Sequence, residues 1–102
     1  MYKIVITTTD SDLVCDKISS SLIEEGLSAC VQKIKNIESR YPWEGLIQVQ
    51  KEYMLLIKCK QLNIEKISEC ILKNHNYEVP EIVALDIDIA NREYEDWLNE
   101  NC

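Results

Sequence analysis

The apolar positions of the chain change period several times, and each change marks an element. Ile4-Val5-Ile6 is a β-branched run continued by Thr7-Thr8-Thr9, which predicts a strand buried on both faces and central in its sheet. Behind it Val14, Ile18 and Leu22 recur every four residues, with Asp16, Lys17 and Glu24 off the stripe. That is the spacing of an amphipathic helix. Asp10 or Ser11 stands where an N-cap is needed and Gly26 suits the left-handed residue that ends a helix, so the element is expected from about 11 to 25.

Ala29-Cys30-Val31 opens a second strand, but the apolar parity shifts between Val31 and Ile34. A bulge or bend between Lys33 and Asn36 would reconcile the two halves. Beyond it Ile37, Ser39 and Tyr41 share a face, Pro42-Trp43-Glu44-Gly45 supplies turn chemistry, and Ile47 and Val49 alternate with Gln48 and Gln50. The pattern is a long hairpin. A two-stranded ribbon alone is marginal in water, so its arms are expected to pack on another surface, most economically a second copy of the chain.

Tyr53-Met54-Leu55-Leu56-Ile57 returns to the core as a strand expected to be fully buried. Asn63 is the expected cap of a second helix, on which Ile64, Ile67 and Ile71 follow the i, i+3, i+7 spacing and His75 extends the stripe. Pro80 cannot donate to a ladder, so the next strand should begin at about Glu81. On it Val83, Leu85, Ile87 and Ile89 lie on one side, with Asp86 and Asp88 on the other. Asn91 is placed to cap a short last helix carrying Tyr94, Trp97 and Leu98. The order strand, helix, strand, strand, helix, strand, helix describes one α+β domain over residues 1–102. Its fold class is the ferredoxin-like split βαβ sandwich with an extended β-hairpin, two helices on one sheet face.

Composition narrows the function. The chain has 18 acidic against 11 basic residues and a formal charge of -7, which repels a phosphate backbone and argues against a nucleic-acid partner. No apolar run approaches the roughly 18 residues of a membrane span, and the apolar run after Met1 is too short for a signal peptide. A cytoplasmic protein without a membrane partner is expected. The five cysteines, at 15, 30, 59, 70 and 102, form no C-x-x-C pair and no zinc spacing, so reduced thiols are expected. Cys15, Cys30, Cys59 and Cys70 should behave as small buried hydrophobes, and Cys102 should be exposed.

Candidate chemistry concentrates in His75-Asn76-Tyr77-Glu78-Val79-Pro80-Glu81, which holds the only histidine, one of two prolines and two carboxylates. The chain shows no Ser-His-Asp or Cys-His order, and its two glycines, Gly26 and Gly45, form no phosphate loop. An enzyme is therefore not expected.

Several segments together resemble one family. Ala29-Cys30-Val31, Ser39-Arg40-Tyr41-Pro42-Trp43-Glu44-Gly45, Leu56-Ile57-Lys58, the stretch from His75 to Ile82, and Tyr94-Glu95-Asp96-Trp97-Leu98 match, in order and spacing, the divalent-cation tolerance proteins of the CutA family. The resemblance spans essentially the whole chain. It implies a homotrimer like the PII signalling proteins, with hairpin arms wrapping neighbours, and a role in divalent metal ion, notably copper, tolerance. It also marks Trp43, Lys58, His75, Tyr77, Glu78 and Glu81 as candidate ligand-binding or inter-subunit residues. Imidazole and thiolate suit copper, so His75 and Cys30 are the candidate ligands for Cu(II) or another divalent cation. A Lys between carboxylates beside an aromatic wall would alternatively hold a small molecule at a subunit boundary, as in a PII-like sensor. Two departures stand out: Asn76 replaces the family's usual proline, and Ile6 and Asn74 occupy places where some copper-binding members carry a cysteine and a second histidine.

Overall fold

The computed structural model describes residues 1–102. Strand β1 (Tyr2–Thr9), helix α1 (Asp12–Glu24), strands β2 (Cys30–Trp43) and β3 (Leu46–Lys60), a single 3-10 turn (Gln61–Asn63), helix α2 (Ile64–Asn74), strand β4 (Val83–Ile87) and helix α3 (Arg92–Asn101) follow in order. The strands form one sheet in the order β2-β3-β1-β4, with every neighbouring pair antiparallel. This is the ferredoxin-like arrangement expected from the element order.

The caps show why the helices start where they do. The Ser11 side chain accepts from Val14 N at 3.2 Å, and Asn91 accepts from the N–H groups of Glu93 and Tyr94, each satisfying donors that the first turn leaves free. Asn63 does not cap α2 with its side chain. Its amide donates instead to the Leu27 carbonyl at 3.3 Å, tying the start of α2 to the end of α1. Gly26 has φ +67°, the left-handed conformation that closes α1.

Val14, Ile18 and Leu22 of α1 and Ile67 and Ile71 of α2 bury against Val5, Leu55, Ile57 and Cys59. One sheet face therefore carries the core. The other face is different from expectation: Ile4 and Ile6 on β1, and Met54 and Leu56 on β3, are only half-buried. Residues of one parity face the helices, and their alternates face out because no second layer covers most of that side. The outward set also includes Ile34 at 43 %, Val83 at 46 % and Leu85 at 53 % exposed. At one end α3 lies across this face, where Leu98 is fully buried, Tyr94 Oη accepts from Lys58 Nζ at 3.3 Å and the Asn99 carbonyl accepts from Lys60 Nζ at 3.1 Å. Strand β4 starts at Val83 rather than Glu81, because residues 79–82 belong to the loop that carries the polar cluster.

The pairing register of β2 on β3 shifts between Ile34 and Ile37. Ile34 faces Met54 and Ile37 faces Glu52, so three steps on β2 match two on β3, the signature of a bulge. Asn36 takes φ +60° there. The extra residue keeps Ile34 and Ile37 on the same face. The parity shift between Val31 and Ile34 has another cause: the register there is regular, and Val31, opposite buried Ile57, faces the helices whereas Ile34, opposite Met54, faces out. Beyond the bulge β2 and β3 run on as a ribbon closed by Glu44 and Gly45, at φ +51° and +79°, the two-residue turn that matches strand twist. The ribbon makes the molecule 46 Å long against 25 and 21 Å in the other directions. Its radius of gyration is 14.2 Å, above the about 13 Å of a compact domain of this size.

Candidate functional site

Where the hairpin leaves the sheet, the open face, the loop after α2 and the ribbon enclose a cleft of about 750 Å³. One wall is Tyr41 and Trp43 of β2, the other is Tyr77, Val79 and Glu81 of the loop, and Glu52 of β3 lies between them. The loop is fixed by the only histidine. His75 ends α2 in an extended conformation, and its Nε2 lies 2.8 Å from the Thr8 carbonyl. Nδ1 accepts from Tyr77 N at 3.0 Å. The ring is therefore the Nε2–H tautomer with both nitrogens occupied, and it turns the chain so that Tyr77 reaches across the sheet.

Tyr77 Oη donates to Glu52 Oε2 at 2.6 Å. Glu52 is only 5 % exposed, and none of the ion pairs, which engage Asp86, Asp12, Asp16 and Glu38, supplies it with a cation. A buried carboxylate without a countercharge is unusual, since desolvation penalises the ionised form. Its neighbours register it. The Tyr77 phenol is pushed well above its usual pKa by burial first and by the bond to Glu52 second. Glu81 is raised by partial desolvation and then by the Glu52 charge.

A second chain of hydrogen bonds ties the loop to the root of the hairpin. Thr9 Oγ1 donates to Asn76 Oδ1 at 2.6 Å, Asn76 Nδ2 donates to Asp10 Oδ1 at 2.7 Å, and Gln50 Nε2 donates to Asp10 Oδ2 at 3.0 Å. Tyr41 Oη completes it by donating to Gln50 Oε1. Asn76, the departure from the family pattern, thus uses its amide in a way that proline could not.

Of the six residues singled out in the sequence, Trp43, Tyr77, Glu78 and Glu81 line the cleft and His75 positions its wall. Lys58 does not join them. It pairs across to Ile4 and Cys30 and holds its ammonium 5.3 Å from the Tyr94 ring centre, under α3. Nor does the chain bring Cys30 to His75. Cys30 sits opposite Lys58, whereas His75 grips Thr8, which sits opposite Met54; four residues of strand separate the two places by about 13 Å. With both imidazole nitrogens engaged as well, His75 and Cys30 do not fit a shared copper site within one chain. No group of three or more His, Cys, Asp or Glu side chains stands in position to hold a metal. The residue missed in the sequence is Glu52, hidden in the alternation Gln48, Gln50, Glu52 that looks like a solvated strand face; its one signal was a carboxylate next to an apolar run.

The cysteines behave largely as small apolar groups. Cys15, Cys59 and Cys70 are buried, and burial raises the Cys15 and Cys59 thiols to about 11. Cys30 is only half-buried because it is on the open face, and Cys102 is half-buried with its thiol turned back on the Leu98 carbonyl at 3.2 Å.

These features define a ferredoxin-like α+β protein with a protruding hairpin and an acidic, aromatic-walled cleft at the hairpin's root. Residues 3–101 match the family model described as CutA1 divalent ion tolerance protein. The chain is 42 % identical over 101 residues to the divalent-cation tolerance protein CutA of Thermus thermophilus, covering 99 % of this chain and 98 % of that one. It is 37 % identical to the chloroplastic protein CutA of Arabidopsis thaliana, covering 96 % of this chain but 54 % of the plant protein. The solved Thermus thermophilus structure superposes with a TM-score of 0.93 over 99 % of this chain and 98 % of that one. A structure named for a periplasmic divalent cation tolerance protein CutA of Archaeoglobus fulgidus, 28 % identical, superposes with a TM-score of 0.94 over 99 % of this chain and 98 % of that one. The chain belongs to the CutA1 divalent ion tolerance family.

Proposed function

We propose that this protein serves divalent metal ion tolerance as a homotrimer in the cytoplasm, acting by binding and assembly rather than by catalysis. The observation that carries the assembly is the uncovered apolar sheet face, with Ile34, Val83 and Leu85 exposed beside half-buried Ile4, Ile6, Met54 and Leu56. An exposed apolar patch of this kind, together with an apolar ribbon bearing Leu46, Ile47 and Val49, supports a protein interface there. The names of the matching family and of the Thermus thermophilus relative supply the link to divalent cations. Five free thiols support a reducing compartment, and no helix is long and apolar enough to cross a membrane. Copper, the finer reading, is not routed through a His75–Cys30 pair, which one chain does not assemble.

The test is complementation. Cells lacking the protein and challenged with divalent copper should recover tolerance with the wild-type chain. They should not recover with Val83→Asp/Leu85→Asp, whose charges would stand on the uncovered face. Equal recovery with both would overturn the link between assembly and tolerance. A second reading, a PII-like small-molecule sensor, is favoured by the cleft itself, whose volume falls within the range of small-ligand sites.

A further inference from the structure

We propose that the cleft at the hairpin root binds a small organic ammonium ion with an aromatic or aliphatic body, and that Glu52 is its anionic anchor. The proposal rests on the sensor reading and names its ligand class.

The anchor is the starting point. Glu52 is buried, with 5 % of its surface exposed, Tyr77 satisfies one of its oxygens, and no basic group of the chain pairs with it. The second oxygen receives no donor from the chain. It is not sealed in, because the only fully buried side-chain polar atom left without a partner is Thr7 Oγ1. Glu52 therefore presents one unsatisfied carboxylate oxygen to a cavity that its own residue lines.

The rest of the lining selects the kind of cation. A calcium or magnesium ion asks for six or more oxygen ligands, and no group of three metal-ligating side chains exists here. A copper or zinc ion prefers imidazole or thiolate, and the cleft contains neither. The cleft carries one basic side chain, Arg40, whose guanidinium lies 3.7 Å from the Glu38 carboxylate, against four carboxylates, Glu44, Glu52, Glu78 and Glu81, and its aromatic and apolar lining is Tyr41, Trp43, Tyr77 and Val79. Aromatic faces attract ammonium groups through their quadrupole, and the apolar area would cover an organic body. Glu81 at the rim, with its carboxyl raised by burial and by the Glu52 charge, relaxes when a cation arrives. The overall charge of -7 favours the encounter.

The experiment is a calorimetric titration of the wild-type protein with phenethylammonium chloride, with 2-phenylethanol and phenylpropionate as neutral and anionic matches, and light scattering on the same samples. Saturable binding of the ammonium is expected, at least tenfold tighter than either match, and Glu52→Gln should weaken it at least tenfold while leaving the assembled mass unchanged. If Glu52→Gln does not assemble, Trp43→Leu and Glu81→Gln take its place, each expected to weaken binding at least threefold. No saturable binding by a wild-type protein of trimeric mass overturns the proposal and leaves the assembly reading standing. Equal binding of the alcohol overturns it too, as does unchanged affinity in the variants. Displacement of the probe by equimolar Zn(II) would reassign the cleft to a metal and overturn it. A monomeric mass would instead strike the assembly reading.

Discussion

Replacing Tyr77 with phenylalanine removes one oxygen and leaves the ring in place, so its effect isolates the bond to Glu52. That bond is short, 2.6 Å, and its acceptor is a carboxylate that water hardly reaches. A hydrogen bond to a charged group contributes about 1.5–3 kcal/mol, and a buried acceptor stripped of its donor bears the full desolvation cost. Tyr77→Phe should therefore lower unfolding free energy by about 2 kcal/mol, the middle of that range. Glu52→Gln exchanges the carboxylate for a neutral amide of the same shape, and added to Tyr77→Phe it should cost much less than it does in wild type. The coupling from the double-mutant cycle should be about 1 kcal/mol or more. The assay is urea unfolding at one fixed protomer concentration, since assembly makes stability concentration-dependent. The pH dependence supplies a second reading of the same contact. The native phenol has a raised pKa, so its contribution is complete below the unfolded value of about 10 and is lost as the pH rises toward the native one. Wild type should lose this share of stability above about pH 10. Tyr77→Phe should not. A cost below about 0.5 kcal/mol with no coupling would refute the view that Tyr77 holds a buried, charged Glu52.

Three further outcomes are expected. Glu81 has a raised native pKa from partial desolvation and the Glu52 charge, so its neutral form is favoured by folding and that stability fades as the pH rises above the usual carboxylate range; Glu81→Gln should stabilise the protein at pH 7 and not at pH 3.5, and a loss of stability at pH 7 would contradict this. Asn76→Ala removes the bonds to Thr9 and Asp10 and should cost about 1–2 kcal/mol in urea unfolding at about 1 kcal/mol per bond, a neutral effect showing that the link between loop and hairpin root carries no strength. Thiol titration of the native protein at pH 7.5 should leave Cys15, Cys59 and Cys70 unreacted, because they are buried and burial raises each thiol; fast labelling of all five would contradict the buried placement.

The fold was legible where local chemistry and periodicity agreed. Ser11, Gly26 and Asn91 mark helix ends by their own hydrogen bonds or conformations, and the bulge expected between Lys33 and Asn36 is seen in the register between Ile34 and Ile37, although the parity shift from Val31 to Ile34 that suggested it is a change of sheet face. Burial of the second sheet face was not legible. Ile4, Ile6, Met54 and Leu56 have the apolar character of a strand covered on both sides, and a single chain covers only one. The site was legible in part, because Tyr77, Glu78 and Glu81 are close in sequence and share a loop. Lys58 falls outside it because motif proximity does not fix which end of a strand a side chain occupies, and here the run of β3 takes it to Tyr94. Glu52 carries no sequence signature because its burial comes from Tyr77, 25 residues away, a contact no local pattern records.

The central claim is that the apolar part of the uncovered sheet face, around Ile34, Val83 and Leu85, and the apolar ribbon positions Leu46, Ile47 and Val49 are interfaces between copies of this chain. Its most direct test is the mass in solution by light scattering at micromolar concentration, for wild type and for Val83→Asp/Leu85→Asp. Wild type should have three times the 11.9 kDa of one chain, and the variant should fall toward a single chain while its far-UV circular dichroism stays that of a folded protein. A wild-type mass of 11.9 kDa, or a variant that keeps the wild-type mass, would contradict the account.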